Sequence, residues 1–172
     1  MEVGWKMAGT EKEVQQEVLE RAKQDDVKFV NLQFTDIHGS IKSVSIPVEK
    51  LPESFEKGTW FDGSSIEGFT RICESDMYLK PDPTTYAVLP WRPQEKAVAR
   101  MICDILQPAA GQHKPYEGDP RYILKRAKEK MKKMGYDHFY VGPELEYFYF
   151  KSSNAPEIID EGGYFDLTPL DM

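Results

Sequence analysis

The chain has 172 residues, 40% of them apolar, and a formal net charge of −7. That length suits one domain, or a small domain and part of a second, with enough apolar mass for a core. The acidic balance excludes a broad basic face for phosphates, so nucleic-acid binding is not expected, and no apolar run is long enough to span a membrane.

Residues 1–10 lack the basic start and apolar centre of a secretory leader and read as a tail. Cys73 and Cys103 are isolated, without metal-type spacing, and imply a reducing, cytoplasmic setting. Thr10-Glu11-Lys12-Glu13 is a capping-box pattern, and Val14, Val18, Leu19 and Ala22 follow at helical spacing. This predicts a helix from Glu11 to Gln24. Val27 to Thr35 is rich in β-branched and aromatic residues; alternation puts Val30, Leu32 and Phe34 on one face and Val27 and Phe29 on the other. Asp36-Ile37-His38-Gly39 is a turn, and Ile41 to Ile46 alternates again, with Lys42, Val44 and Ile46 together. The two runs form a hairpin. Leu51 to Lys57 reads as a short helix closed by Gly58.

From Phe61-Asp62-Gly63-Ser64-Ser65 through Pro81 and Pro83 the pattern predicts a long polar loop. Strands are expected at Tyr86–Leu89 and Ala97–Asp104, with Ala97, Ala99, Met101 and Cys103 opposite Val98 and Ile102. Pro108 to Gly118 reads as a linker. Asp119-Pro120 opens a helix with the stripe Ile123, Leu124, Ala127, Met131 and Met134, closed by Gly135; its basic cluster from Lys125 to Lys133 is the wet face. His138 to Phe150 is expected as a strand and Lys151 to Glu161 as a polar loop. The last residues, Phe165 to Met172, stop in mid-pattern, as a fragment would.

Two stretches carry candidate chemistry. On a strand, Glu144 and Glu146 would share a face; they are either solvated acids at a strand end or part of an oxygen-rich site for Mg²⁺ or Mn²⁺. Asp62, Ser64 and Ser65 are either a self-bonded turn or a site for a cation or amine. His38, His113 and His138 read as structural or exposed, and Gly162-Gly163 is not followed by the Lys-Ser/Thr of a phosphate loop.

Phe61-Asp62-Gly63-Ser64-Ser65, then eight residues, then Glu74-Ser75-Asp76-Met77-Tyr78-Leu79 resembles the N-terminal signature of the glutamine synthetases. The resemblance runs from about Lys28 onward and includes Phe34-Thr35-Asp36-Ile37-His38-Gly39, Tyr116-Glu117-Gly118-Asp119-Pro120-Arg121, Gly142-Pro143-Glu144-Leu145-Glu146 and Gly162-Gly163-Tyr164-Phe165-Asp166. Ile66-Glu67-Gly68-Phe69-Thr70-Arg71 is similar to the bacterial and archaeal type I enzymes.

The resemblance implies an α+β fold: a β-grasp domain over 11–108 with its leading helix, a linker at 109–115, and the start of a catalytic domain, helix plus strand, over 116–172. It implies ATP-dependent joining of ammonium to glutamate through γ-glutamyl phosphate, in a double hexameric ring whose active sites lie between subunits. By position Asp62 corresponds to the acid that binds and deprotonates ammonium. Ser65 and Tyr164 correspond to other members of that pocket, and Asp76 to a supporting acid. Glu144 and Glu146 correspond to ligands of two Mg²⁺ or Mn²⁺ ions, and Arg71 to a residue linked to glutamine feedback. Leu145 stands where proline is common in the family. The family's remaining metal ligands and its nucleotide- and glutamate-binding residues have no counterpart in these 172 residues, so the chain alone is expected to be inactive. Alternative readings are a structural or regulatory relative without the chemistry, and a ligase that uses a polyamine.

Overall fold

The computed structural model describes residues 9–66, 76–109 and 112–159. It divides into two compact units, 1–135 and 136–172. The first opens with α1 (Glu11–Gln24), started by the expected capping box: Thr10 Oγ1 accepts from Glu13 N, and Glu13 Oε2 accepts from Thr10 N at 2.6 Å. One face of α1 buries Val14, Val18 and Ala22. Then come β1 (Val27–Thr35), β2 (Ile41–Pro47), α2 (Leu51–Lys57), β3 (Thr59–Asp62), β4 (Asp76–Pro81), β5 (Ala87–Val88), β6 (Ala97–Ala109), β7 (Gln112–Pro115) and α3 (Pro120–Lys133).

The strands make one mixed sheet in the order β2-β1-β6-β4-β3, with β5 and β7 also paired to β6. β1 and β6 run parallel; the other pairs are antiparallel. β6 alternates as expected, burying Ala97, Ala99, Met101, Cys103 and Ile105. These pack with Val30, Leu32 and Phe34 of β1, Met77 and Leu79 of β4, and Val18, Ala22, Leu51 and Phe55 from the helices.

Val27 is buried although simple alternation sets it opposite Val30. A bulge between Val27 and Phe29 shifts the β1–β6 register, so both valines turn inward while Phe29 stays about half exposed. The start of this parallel pair is held by a second device. Asp26 and Lys96 both adopt positive φ, 48° and 54°. Asp26 Oδ2 accepts from Lys96 N at 2.9 Å, and Asp26 O accepts from Ala97 N at 3.0 Å. Gly39, at φ 81°, closes the β1–β2 turn, inside which Asp36 Oδ1 accepts from His38 N and Ser40 N.

Three expectations are corrected. The long loop from Phe61 begins inside β3 and contains β4; both are too short and too polar at their outer positions to announce themselves, and pairing of β4 with β6 and of β3 with β4 makes them strands. The Pro/Gly-rich linker holds β7, paired to the last residues of β6. The Tyr86–Leu89 strand shrinks to Ala87–Val88. By contrast α1, β1, α2 and α3 keep the bounds that their caps and turns dictate.

Helix α3 is fixed to the sheet by polar groups. Asp119 is 1% exposed; its Oδ1 accepts from Arg121 N at 3.0 Å, and its Oδ2 accepts from Ile105 N in β6 at 3.2 Å. Arg121 pairs with Asp82 and Asp104, and Lys125 with Asp104. None of the α3 residues is buried; Ile123, Leu124 and Met134 of its stripe are exposed. Burial pushes the Asp119 carboxyl upward, and backbone N–H groups only partly offset it. Burial also pushes Asp82 upward, but Thr84 and Arg121 outweigh it and hold the group below its ordinary 3.8.

No described helix is long and apolar enough to cross a membrane.

Leu32 is fully buried in β1, and Leu32→Ala should lower unfolding free energy by about 2–5 kcal/mol in chemical denaturation. The depressed Asp82 favours its ionised form in the folded chain, so its contribution is present above pH 3.8 and lost as pH falls below it. Asp82→Asn should cost roughly 1–2 kcal/mol at pH 7 and flatten that acid limb in a stability–pH series.

Candidate functional site

Asp62 ends β3, where alternation turns Phe61 into the core and Trp60 and Asp62 outward. Phe61 is fixed by Phe34, ring centroids 5.0 Å apart. Immediately after, Gly63–Ser65 makes a 3₁₀ turn capped by Asp62 itself. Its Oδ1 accepts from Ser64 N at 2.9 Å and from Ser64 Oγ at 2.7 Å. The self-bonded turn read from the sequence is therefore real, and it holds the carboxylate in one orientation on an exposed strand end. Ser65 lies exposed in the same turn.

The β3–β4 register sets Asp62 directly opposite Asp76, and Trp60 opposite Tyr78. Both acids are exposed. Cross-strand partners share a face with Cβ atoms about 5 Å apart, so the two acids stand on one outer face. Such a pair is relieved by a cation, by a proton, or by screening. Fourteen positions separate these acids in sequence, and only the strand pairing makes them neighbours; the missing signal was the pairing of β3 and β4 itself. On the same outer face the His113 ring stacks on Tyr78 at 3.8 Å between centroids.

Glu144 and Glu146 belong to the second unit, and both are exposed. Of the strand expected from His138 to Phe150, strand-type pairing within the described residues of the second unit is confined to the bridge of Phe150 to Ile158. Next to it Ile159 N donates to Tyr149 O and Lys151 N to Glu157 O. An extended segment becomes a strand only with a partner ladder, and 136–149 pairs with none among the described residues. The same-face argument for the two glutamates therefore does not hold in this unit by itself. As donors they fit Mg²⁺ or Mn²⁺, which take carboxylate oxygens, but two carboxylates fill only part of a six-ligand shell. No group of three or more His, Cys, Asp or Glu residues converges among the described residues. Arg71 and Tyr164 lie outside the described residues, as do Glu74 and Cys73. Cys103 is buried, and burial pushes its thiol well up, so it is an inert core residue.

Comparison with known proteins adds a separate line. Residues 26–108 match the family model described as "Glutamine synthetase, beta-Grasp domain", and residues 117–171 the model "Glutamine synthetase, catalytic domain". The glutamine synthetase of Methanosarcina mazei is 53% identical over 160 residues, covering 91% of this chain and 35% of its own length. That of Thermotoga maritima is 51% identical over 152 residues, covering 86% and 34%. The chain thus spans about a third of the length of the curated relatives it matches. Among solved structures, glutamine synthetase from Plasmodium falciparum superposes with a TM-score of 0.58 at 26% identity, over 77% of this chain and 24% of that one. A GmaS–ADP complex gives 0.59 at 22% identity, over 68% and 26%, which is a likeness of fold.

The facing acids make a direct test of the register. Asp62→Cys with Asp76→Cys should form a disulfide on mild oxidation, read as a mass change reversed by reductant, because cross-strand partners bring their Cβ atoms within bridging reach.

Proposed function

The chain belongs to the glutamine synthetase family, and from that premise we propose that the whole protein is a glutamate–ammonia ligase. In this reading ATP phosphorylates the γ-carboxylate of glutamate, and ammonia displaces phosphate from γ-glutamyl phosphate to give glutamine. The observation that carries the reading for this chain is the Asp62–Asp76 pairing on the outer face of β3–β4. Ammonium is a cation that must be held and then lose a proton before it can attack, and a fixed carboxylate can do both.

Asp62 holds the ammonium and takes its proton. The Ser64 bonds keep its carboxylate outward, so a proton acceptor is in place before the amine arrives. Asp76 adds negative charge opposite and strengthens capture of the cation. Ser65 and Tyr164 are the residues we assign as further members of the ammonium pocket. Glu144 and Glu146 would hold Mg²⁺ or Mn²⁺, which when bound neutralises charge on the transferring phosphoryl group. Arg71 is the residue we assign to feedback by glutamine.

The reading extends to organisation. We place the β-grasp domain at 11–108, the connection at 109–115 and the start of the catalytic domain at 116–172. The exposure of the acid pair on β3–β4 supports a site completed by a neighbouring subunit, in a double hexameric ring. A buried free thiol at Cys103 and an acidic net charge suit a cytoplasmic enzyme.

The test is glutamine formation from glutamate, ammonium, ATP and Mg²⁺ by the full-length protein. Asp62→Asn should lower kcat/KM for ammonium by roughly 10²–10⁴, and Asp76→Asn by less. Glu146→Gln should raise the metal concentration needed for half-maximal rate. The 172-residue chain alone should give no turnover. Glutamine made by that chain would overturn its expected inactivity, and equal rates with a polyamine replacing ammonium would overturn the assignment of ammonia as the amine.

A further inference from the structure

The outer face of the sheet carries a second feature, on strands away from Asp62 and Asp76. A half-open cavity of about 390 Å³ lies over β1, the start of β2 and the middle of β6. Its apolar wall is Phe34, Ile41, Leu89, Trp91 and Ile102, and its polar groups are Gln33, Thr35 and Arg100. Ile41 is 68% exposed and Trp91 74% exposed, an unusual pair to leave in water side by side. The volume falls within the range of small-molecule sites, which join an apolar wall to a few convergent polar groups.

The register explains how the lining comes together. Gln33 pairs with Ile102 across the parallel β1–β6 ladder, and Thr35 pairs with Ile41 across the β1–β2 hairpin. Arg100 is two residues before Ile102 on the same face of β6. Its Nη1 donates to Thr85 O at 3.0 Å, which anchors the guanidinium at the cavity. No other cation and no acid lines the cavity among the described residues. One anchored guanidinium with an amide and a hydroxyl nearby suits a single carboxylate, because its planar donor fork matches that group. A phosphorylated or polyanionic ligand would require more positive charge than this wall offers.

We propose that this cavity binds a small arene carboxylate, its ring against Trp91 and Ile41 and its carboxylate on Arg100. This goes beyond the ligase reading and does not depend on it. The test uses the ¹⁵N-labelled 172-residue chain titrated with phenylacetate, with phenylacetamide and acetate as controls. Saturable shifts are expected at Gln33, Thr35, Ile41, the Trp91 indole and Ile102. Phenylacetamide, lacking the charge, should bind about tenfold more weakly, and acetate should not saturate. Arg100→Lys keeps a cation but loses the fork and should weaken phenylacetate several-fold. Trp91→Ala, at an exposed turn position, should abolish saturation while leaving the rest of the spectrum unchanged. The proposal is overturned if those residues do not shift up to the solubility limit, or if phenylacetamide binds equally well. It is also overturned if sedimentation shows self-association that perturbs the same residues without ligand, which would make a second copy of the chain the occupant.

Discussion

One strand imposes its register on nearly everything else. β6 pairs with β1 and β5 through its first half and with β4 and β7 through its second. A parallel β1–β6 pair cannot be closed by a tight turn, so the chain must leave the sheet between them and return. β2, α2, β3, β4 and β5 are built within that excursion. Because side chains alternate on a strand, fixing β6 decides both faces at once. Ala97, Ala99, Met101, Cys103 and Ile105 go to the core, and Arg100, Ile102 and Asp104 remain for the outer surface.

The acid pair follows from the same ladder. Tyr78–Pro81 of β4 align on β6 and Asp76–Leu79 align on β3, which brings Asp76 opposite Asp62. A slip of one residue would send Asp62 inward and Phe61 outward, exchanging a core aromatic for a buried charge. Burial of Phe61 against Phe34 therefore protects the placement of the neighbouring carboxylate. Hydrophobic packing on one side of β3 sets the electrostatics on the other.

Helix α3 shows the opposite balance. Asp119 caps it while accepting from the backbone of β6, and Arg121 and Lys125 tie it to Asp82 and Asp104. No apolar residue of α3 is buried in this unit. The second unit is similar in character: Phe139, Tyr140, Val141, Leu145, Tyr147 and Phe148 are exposed, and among the described residues its strand-type pairing is confined to the Phe150–Ile158 bridge. Apolar stripes and aromatic alternation state what a segment can bury, but burial and strand formation need a facing surface.

The amino-acid sequence by itself determined the helices, the first hairpin and the alternation of β6, because caps, turn residues and periodicity act over a few neighbours. Thr10 with Glu13, the Asp36–Gly39 turn, Gly58, and Asp119-Pro120 all work locally, and each element formed where they dictate. The motif residues around Asp62 and Glu144 were also legible, as was the family. Only the tertiary structure decided that β3, β4 and β7 are strands, that Val27 turns inward, that Asp62 faces Asp76, and that Arg100 and Trp91 line one cavity. Those outcomes depend on hydrogen bonds and packing between residues far apart in the chain. A short polar strand has no strong preference of its own, so its state is set by the partner it meets.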